Sequence, residues 1–295
     1  MRIDQISIVR NDPHFSAIIQ SEGKPSRDPL RVLSLKESHM EGILPAFLKF
    51  NSADDLIRVG RDYDGGYLVS KADVLESDFL IGLGINDDRS FESDFLNHRK
   101  VPVIAYDASV SKAFFAKKAL KALLKPTRPK KLWRAMNTYF SYKNFFRNDV
   151  QHREQFVGLE SAGPHCTMNQ VLGEVSSDNV FLKIDVEGSE YRFLDTLIEN
   201  KNRISGMVIE FHDCDIHLQT IKNFVEKFGL KLVHVHPNNC GLIRKSDQLP
   251  LTMELTFSKY AKAASENLLP HPLDMPNDRK RADIQLSFSN TSITS

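Results

Sequence analysis

The 295 residues are 41 % apolar and 26 % charged, with a formal net charge of +1. That balance describes a folded chain of one large domain or one domain with extensions, and it excludes a disordered polyelectrolyte or a protein held to nucleic acid by bulk charge. Apolar runs such as Met207 to Phe211 fall far short of the roughly 20 residues that cross a bilayer, the opening Met1-Arg-Ile-Asp-Gln5 lacks the apolar core of a signal peptide, and Cys166, Cys214 and Cys240 show no Cys-x-x-Cys spacing. A cytoplasmic protein without a disulfide framework or structural zinc is therefore expected.

Residues 1–55 mix short apolar patches with Pro13, Pro25 and Pro29 and read as an N-terminal extension closing in a helix over Leu35 to Phe50. From Leu56 the pattern changes to short β-rich runs separated by helical stretches, which marks residues 56–260 as an α/β domain built on a mainly parallel sheet. Strands are expected at Tyr67 to Val69, Phe79 to Leu83, Val103 to Tyr106, Phe156 to Leu159, Val180 to Ile184, Met207 to Phe211, Lys231 to Val235 and Met253 to Phe257. Thr167-Met-Asn-Gln170 is a capping-box pattern opening a helix toward Gly173. Ser189 to Asn200 and His217 to Phe228 repeat apolar residues at helical spacing, and Gly229 stops the second. Residues 261–295 read as a C-terminal tail.

The stretch 110–150 interrupts this order as a basic helical insertion. No acid lies between Asp107 and Asp149, while eleven lysines and arginines from Lys112 to Arg147 accumulate among aromatics. Ser111 to Lys125 has an apolar stripe of Phe114, Phe115, Leu120, Leu123 and Leu124, and Pro126 and Pro129 end it. Four readings fit: a solvated cationic helix, a lid, a dock for an anionic substrate, or a membrane-surface helix.

Chemistry concentrates at strand ends, because ligands of open α/β sheets bind outside the carboxyl ends of the strands. In Phe181-Leu-Lys-Ile-Asp-Val-Glu-Gly-Ser-Glu190 a buried run breaks into Asp185, Glu187 and Glu190, although acids also favour helix starts, the reading Glu190 fits best. Gly82-Leu-Gly84 lets the backbone turn tightly after another strand. A dinucleotide fingerprint would place a third glycine at position 87, where Asp87 stands before Asp88, and those charges oppose a pyrophosphate; a nicotinamide dehydrogenase is disfavoured. Asp107 closes the next strand about twenty residues on, where a carboxylate can accept from both hydroxyls of a ribose, or cap a helix. Glu210 and His212 sit two apart and share a face, so they can converge with Asp185. There His212 or Asp185 can take a proton, with Glu210 as orienting partner, or Asp185, Glu210 and His212 can hold a divalent metal. His234 and His236 are either structural or substrate-facing.

At these residues the chain resembles the FkbM-type S-adenosylmethionine-dependent methyltransferases. The matching stretches are Asp64-Gly-Gly-Tyr67, Gly82-Leu-Gly-Ile-Asn-Asp-Asp88 with Ser90-Phe-Glu92, Leu182 to Glu190, Ile209-Glu-Phe-His212, His234 to Asn239 and Glu254-Leu-Thr-Phe257; the resemblance covers about Leu56 to Phe257 and extends to Pro270 to Asp283 in the tail. The resemblance implies a Rossmann-like class I methyltransferase fold with a mostly parallel seven-stranded sheet and helices on both faces. It also implies S-adenosyl-L-methionine as cofactor and O-methylation of a small-molecule or glycan acceptor, with no nucleic-acid partner. Asp64, Gly82, Gly84, Asp87 and Asp107 would then bind the cofactor, and Asp185, Glu187, Glu210 and His212 would line the reaction side. The chain departs from the common methyltransferase pattern at Leu80, where an acid is usual, and at Asn86, where a glycine is. The alternative is a non-catalytic cofactor-binding protein that docks on an anionic partner or membrane through residues 112–147.

Overall fold

The computed structural model describes residues 40–124, 129–264 and 269–289. Instead of the helix expected over 35–50, Met40–Leu44 is a strand (β1) followed by a single 3-10 turn at Ala46–Leu48, while residues 35–39 lie outside the described residues. Pro45 separates the two elements, and pairing with a strand far along the chain decides the first. Next come the hairpin strands β2 (Leu56–Gly60) and β3 (Gly66–Ser70), and then helix α1 (Lys71–Glu76), capped by the Ser70 hydroxyl. The doubly wound core follows as β4 (Phe79–Leu83), α2 (Ser90–His98) and β5 (Val103–Tyr106).

Two helices then stand where the basic insertion was placed, α3 (Lys112–Leu123), capped by Ser111, and α4 (Pro129–Phe145). Pro129 does not close the first helix but opens the second, where its missing N–H costs nothing and its fixed φ is already helical. The chain continues through β6 (Val150–Arg153), β7 (Phe156–Gly158), β8 (His165–Thr167) and α5 (Met168–Gly173), with the Thr167/Gln170 capping box formed. After these come β9 (Val180–Ile184), α6 (Leu194–Glu199), β10 (Ile204–Phe211), α7 (Cys214–Phe228), β11 (Lys231–Pro237), β12 (Met253–Ser258) and β13 (Ile284–Phe288). Gly229 takes φ 84° at the end of α7, a left-handed stop that glycine adopts without steric cost.

The main sheet runs β11-β12-β10-β9-β4-β5-β6. All neighbours pair in parallel except β12, which is antiparallel to both β10 and β11. This is a Rossmann-like doubly wound architecture, a mostly parallel seven-stranded sheet with flanking helices. The strand expected at Phe156 to Leu159 forms at 156–158, but it pairs only with β8 in a separate ribbon; β6 takes the sheet edge instead. Strand alternation sorts the core onto two faces. Ile81, Leu83, Leu182 and Ile184 pack with Leu172, Leu197 and Phe224, whereas Leu80, Phe181 and Val208 pack with Phe91, Phe95 and Tyr67.

The segment after Leu269 is tied back to the sheet. β13 pairs in parallel with β1, His234 Nε2 lies 2.9 Å from Asp274 Oδ1, and His236 lies 3.2 Å from Glu254 and 3.3 Å from Asp283. Both histidines are buried, so of the two readings open in the sequence they are structural. Burial opposes a charged His236, but its bonds to Asp283 and Glu254 prevail and bring its pKa up to about 10.

Candidate active site

Parallel strands end together, and the order of the sheet reverses around β4: the chain proceeds to β5 on one side and to β9 on the other. A crevice forms at such a switch point. Here it is a cavity of about 630 Å³ bordered by Asp64, Gly84, Asp87, Asp107, Asp185, Glu187, Glu210 and His212. Gly82, the remaining residue singled out in the sequence, lies within β4 and does not border the cavity. A Cβ on it would come within 2.6 Å of Glu92 Oε1, so its missing side chain makes room for that carboxylate.

On the β4–β5 side, geometry is set by the backbone. Gly84 turns at φ 75°, and a Cβ there would sit 1.6 Å from the Asp185 carbonyl oxygen, so no other residue fits. Its N–H donates to the Tyr106 carbonyl, 3.0 Å away. The turn aims the Asn86 N–H at Asp107 Oδ2 (2.7 Å), while the Ser109 N–H reaches Oδ1 (2.7 Å). Asp107 is only 6 % exposed and is fixed by these two bonds, with lone pairs left on both oxygens. Asp87 and Asp88 point toward cations rather than toward a phosphate site: Asp87 pairs with Lys118 at 3.3 Å and Asp88 with Arg61 at 3.0 Å. Asp64 stands at the mouth, 3.5 Å from Arg61. Burial pushes its pKa up against the pull of that guanidinium.

The β9–β10 side is held by side chains from distant parts of the chain. Tyr67 Oη donates to Asp185 Oδ2 at 3.3 Å, and Lys183 Nζ lies 3.5 Å from the same carboxylate while donating to the Gly84 carbonyl at 2.7 Å. Burial first, and then the Asp185 charge, keep the Tyr67 phenol protonated well past its ordinary range. Glu187 and Gly188 both turn left-handed (φ 52° and 92°), folding the chain back so that Glu190 meets His212. Glu190, at 0 % exposure, accepts from the backbone N–H groups of Gly188 (2.9 Å) and His212 (2.8 Å) and lies 3.3 Å from His212 Nδ1. His212 Nε2 then faces Glu187 Oε2 at 3.5 Å and Glu210 Oε1 at 3.8 Å. Glu210 itself accepts from Asn238 Nδ2 at 2.8 Å.

These contacts tie the titrations together. Burial discourages a charged imidazole at His212, but the Glu190 bond and the Glu210 carboxylate outweigh it and raise its pKa. Burial also raises Glu210, and the charges of Asp185 and Glu254 add to the rise. Both groups therefore keep their protons to higher pH than usual, as one coupled pair.

Three side chains of this network are not among the residues to which the sequence assigns a site role. Glu190 starts a 3-10 turn as a helix-start acid would, yet its carboxylate is fully buried and orients His212, the task assigned to Glu210. Lys183 lies inside a strand that reads as apolar; its position two residues after Phe181 puts it on the Tyr67 face, and its bond to Gly84 makes burial tolerable. Glu92 borders the cavity from α2 with no partner for Oε1 among the described residues, and burial raises its pKa. Its signal was its place three residues into a helix that starts beside the glycine turn. For a metal, the atoms that converge belong to Asp185, Glu187 and His212, within 4.8 Å of one another, so Glu187 takes the place the sequence suggested for Glu210.

No family model matches the chain, and no curated protein does. Among solved structures it is similar to a precorrin-6y C5,15-methyltransferase from Geobacter metallireducens, at 12 % identity over 64 % of this chain and 84 % of that one, with a TM-score of 0.33. It is also similar to the fibrillarin pre-rRNA processing protein of Methanococcus jannaschii, at 13 % identity over 64 % of this chain and 69 % of that one, with a TM-score of 0.32.

Proposed function

We propose that the cavity binds S-adenosylmethionine and that the protein is an O-methyltransferase of the FkbM type, acting on a hydroxyl of a small-molecule or glycan acceptor. The observation that carries this reading is the division of one cavity between a fixed carboxylate, Asp107, beside the glycine turn and an imidazole, His212, across from it. The residues fit the cofactor's chemistry. Asp107 retains acceptor capacity for two ribose hydroxyls, Gly84 lets the turn pass against the Asp185 carbonyl and so brings the two sides of the cavity together, and the Glu92 oxygen without a partner among the described residues suits a ligand that carries positive charge. Asp87 and Asp88 stand where a dinucleotide fingerprint would need a glycine and free backbone N–H groups for the phosphates.

When bound, the cofactor supplies an electrophilic methyl group on a sulfonium. The chain's own part is to orient the acceptor and remove its proton, the two contributions an in-line displacement needs. His212 Nε2 is the base. Glu190 fixes the ring through Nδ1 and favours its charged form, so the imidazolium produced on taking the acceptor proton is stabilised where it forms. Asp185, steadied by Tyr67 and Lys183, lies beside it to accept a hydrogen bond from the acceptor hydroxyl.

Turnover with tritiated S-adenosylmethionine and a panel of sugar and polyketide alcohols tests this reading. His212→Ala and Asp185→Asn should each lower kcat at least tenfold with cofactor affinity unchanged; full turnover in both variants would remove the assignment. Loss of activity on chelation, restored by magnesium, would instead assign Asp185, Glu187 and His212 to a cation.

A further inference from the structure

We propose that α3 and α4 form a docking surface for an anionic phospholipid bilayer, and that this holds independently of the reaction the cavity runs. Phe115, Ala119 and Tyr142 are buried on the near side of the pair, and Phe115 and Tyr142 pack with Ile85 and Val110. On α3 the opposite side presents Lys117, Leu120 and Leu124 at successive helical spacing, with Lys121 beside them; on α4 it presents Lys130, Trp133, Phe140 and Arg147.

The apolar members are strongly exposed. Trp133 is 71 % and Leu124 75 % accessible, which an ordinary solvated helix avoids. Among the described residues, Lys118 is the sole lysine or arginine of the two helices paired with an acid, at 3.3 Å from Asp87. The stretch between Asp107 and Asp149 supplies no acid of its own.

Lysines flanking exposed leucine and aromatic side chains are the chemistry of a helix lying in a headgroup layer: the cations meet lipid phosphates and the apolar tips enter the acyl boundary. A nucleic acid would satisfy the cations but leave Leu120, Leu123 and Leu124 in water, so the lipid surface is the better match. No helix among the described residues is long and apolar enough to cross a membrane, so the contact is peripheral. The surface adjoins the cavity: Asp87 and Ile85 border the cavity and also touch the helices, through Lys118 and Phe115. A docked molecule would therefore bring its cavity close to the bilayer.

Trp133 is the only tryptophan in the chain, so intrinsic fluorescence reports on this surface directly. Titrating the full-length protein with phosphatidylcholine vesicles containing phosphatidylserine should shift its emission to the blue and sediment the protein, whereas pure phosphatidylcholine should do neither. Lys117→Glu with Lys121→Glu should weaken vesicle binding at least tenfold, and Leu120→Ser with Leu124→Ser should do so even at low salt. No blue shift with anionic vesicles overturns the proposal. So does vesicle binding insensitive to the leucine substitutions, or single-stranded RNA bound more tightly than vesicles. The helical circular dichroism of each variant separates loss of docking from loss of the helices.

Discussion

The two sides of the cavity are built by different means. Around β4 and β5 the backbone does the positioning: Gly84 admits no side chain, and the Asn86 and Ser109 N–H groups fix Asp107. Around β9 and β10 side chains position one another: Tyr67 and Lys183 hold Asp185, Glu190 holds His212, and Asn238 holds Glu210. A backbone site binds without changing its charge, whereas a network of carboxylates and imidazole shifts its own titration. Binding should therefore depend on the first side and proton transfer on the second.

Gly84→Ala should have the largest effect of any single change in the cavity. The new methyl would overlap the Asp185 carbonyl that joins the two sides, so cofactor binding should disappear and stability fall by at least about 2 kcal/mol. Calorimetry and a thermal melt report both; a variant that still binds would show that the turn can relax. Asp107→Asn should weaken cofactor binding roughly tenfold to a hundredfold, the size of a lost charge-assisted hydrogen bond, and leave the pH dependence of kcat in place. Unchanged affinity would place the ribose elsewhere.

Glu190→Gln tests the other side. With His212 as base, activity rises as pH climbs through a raised pKa, because the charged ring cannot accept a proton. Removing the Glu190 charge takes away a cause of that rise, so the ascending limb of kcat/KM should move to lower pH while cofactor affinity holds. A limb that stays in place would exclude Glu190 as the orienting group. The smallest effect belongs to Glu187→Gln: a side chain 84 % exposed to solvent is largely screened, and turnover should change less than about twofold. A large loss there would favour a metal over a proton-accepting His212.

The same contrast explains what the sequence revealed. Strands β4, β5 and β9, the capped helix at Thr167 and the glycine turn with Asp107 are local patterns, legible from period, capping chemistry and spacing. What was not legible depends on contacts between remote residues. Glu190 looks like any helix-start acid until the turn at Glu187 and Gly188 brings it to His212, twenty-two positions along. Lys183 looks like a polar interruption of a strand until Gly84 offers it a carbonyl. Residues 40–44 form a strand because β13, far along the chain, pairs with them, a partner no local window contains.

Isothermal titration of the protein with S-adenosylmethionine, with NAD as control, decides which cofactor the cavity takes. One S-adenosylmethionine should bind per chain, more weakly in Asp107→Asn, and NAD should give no heat. Absence of S-adenosylmethionine binding at millimolar concentration by the folded protein, or preferential binding of NAD, would contradict the proposed function.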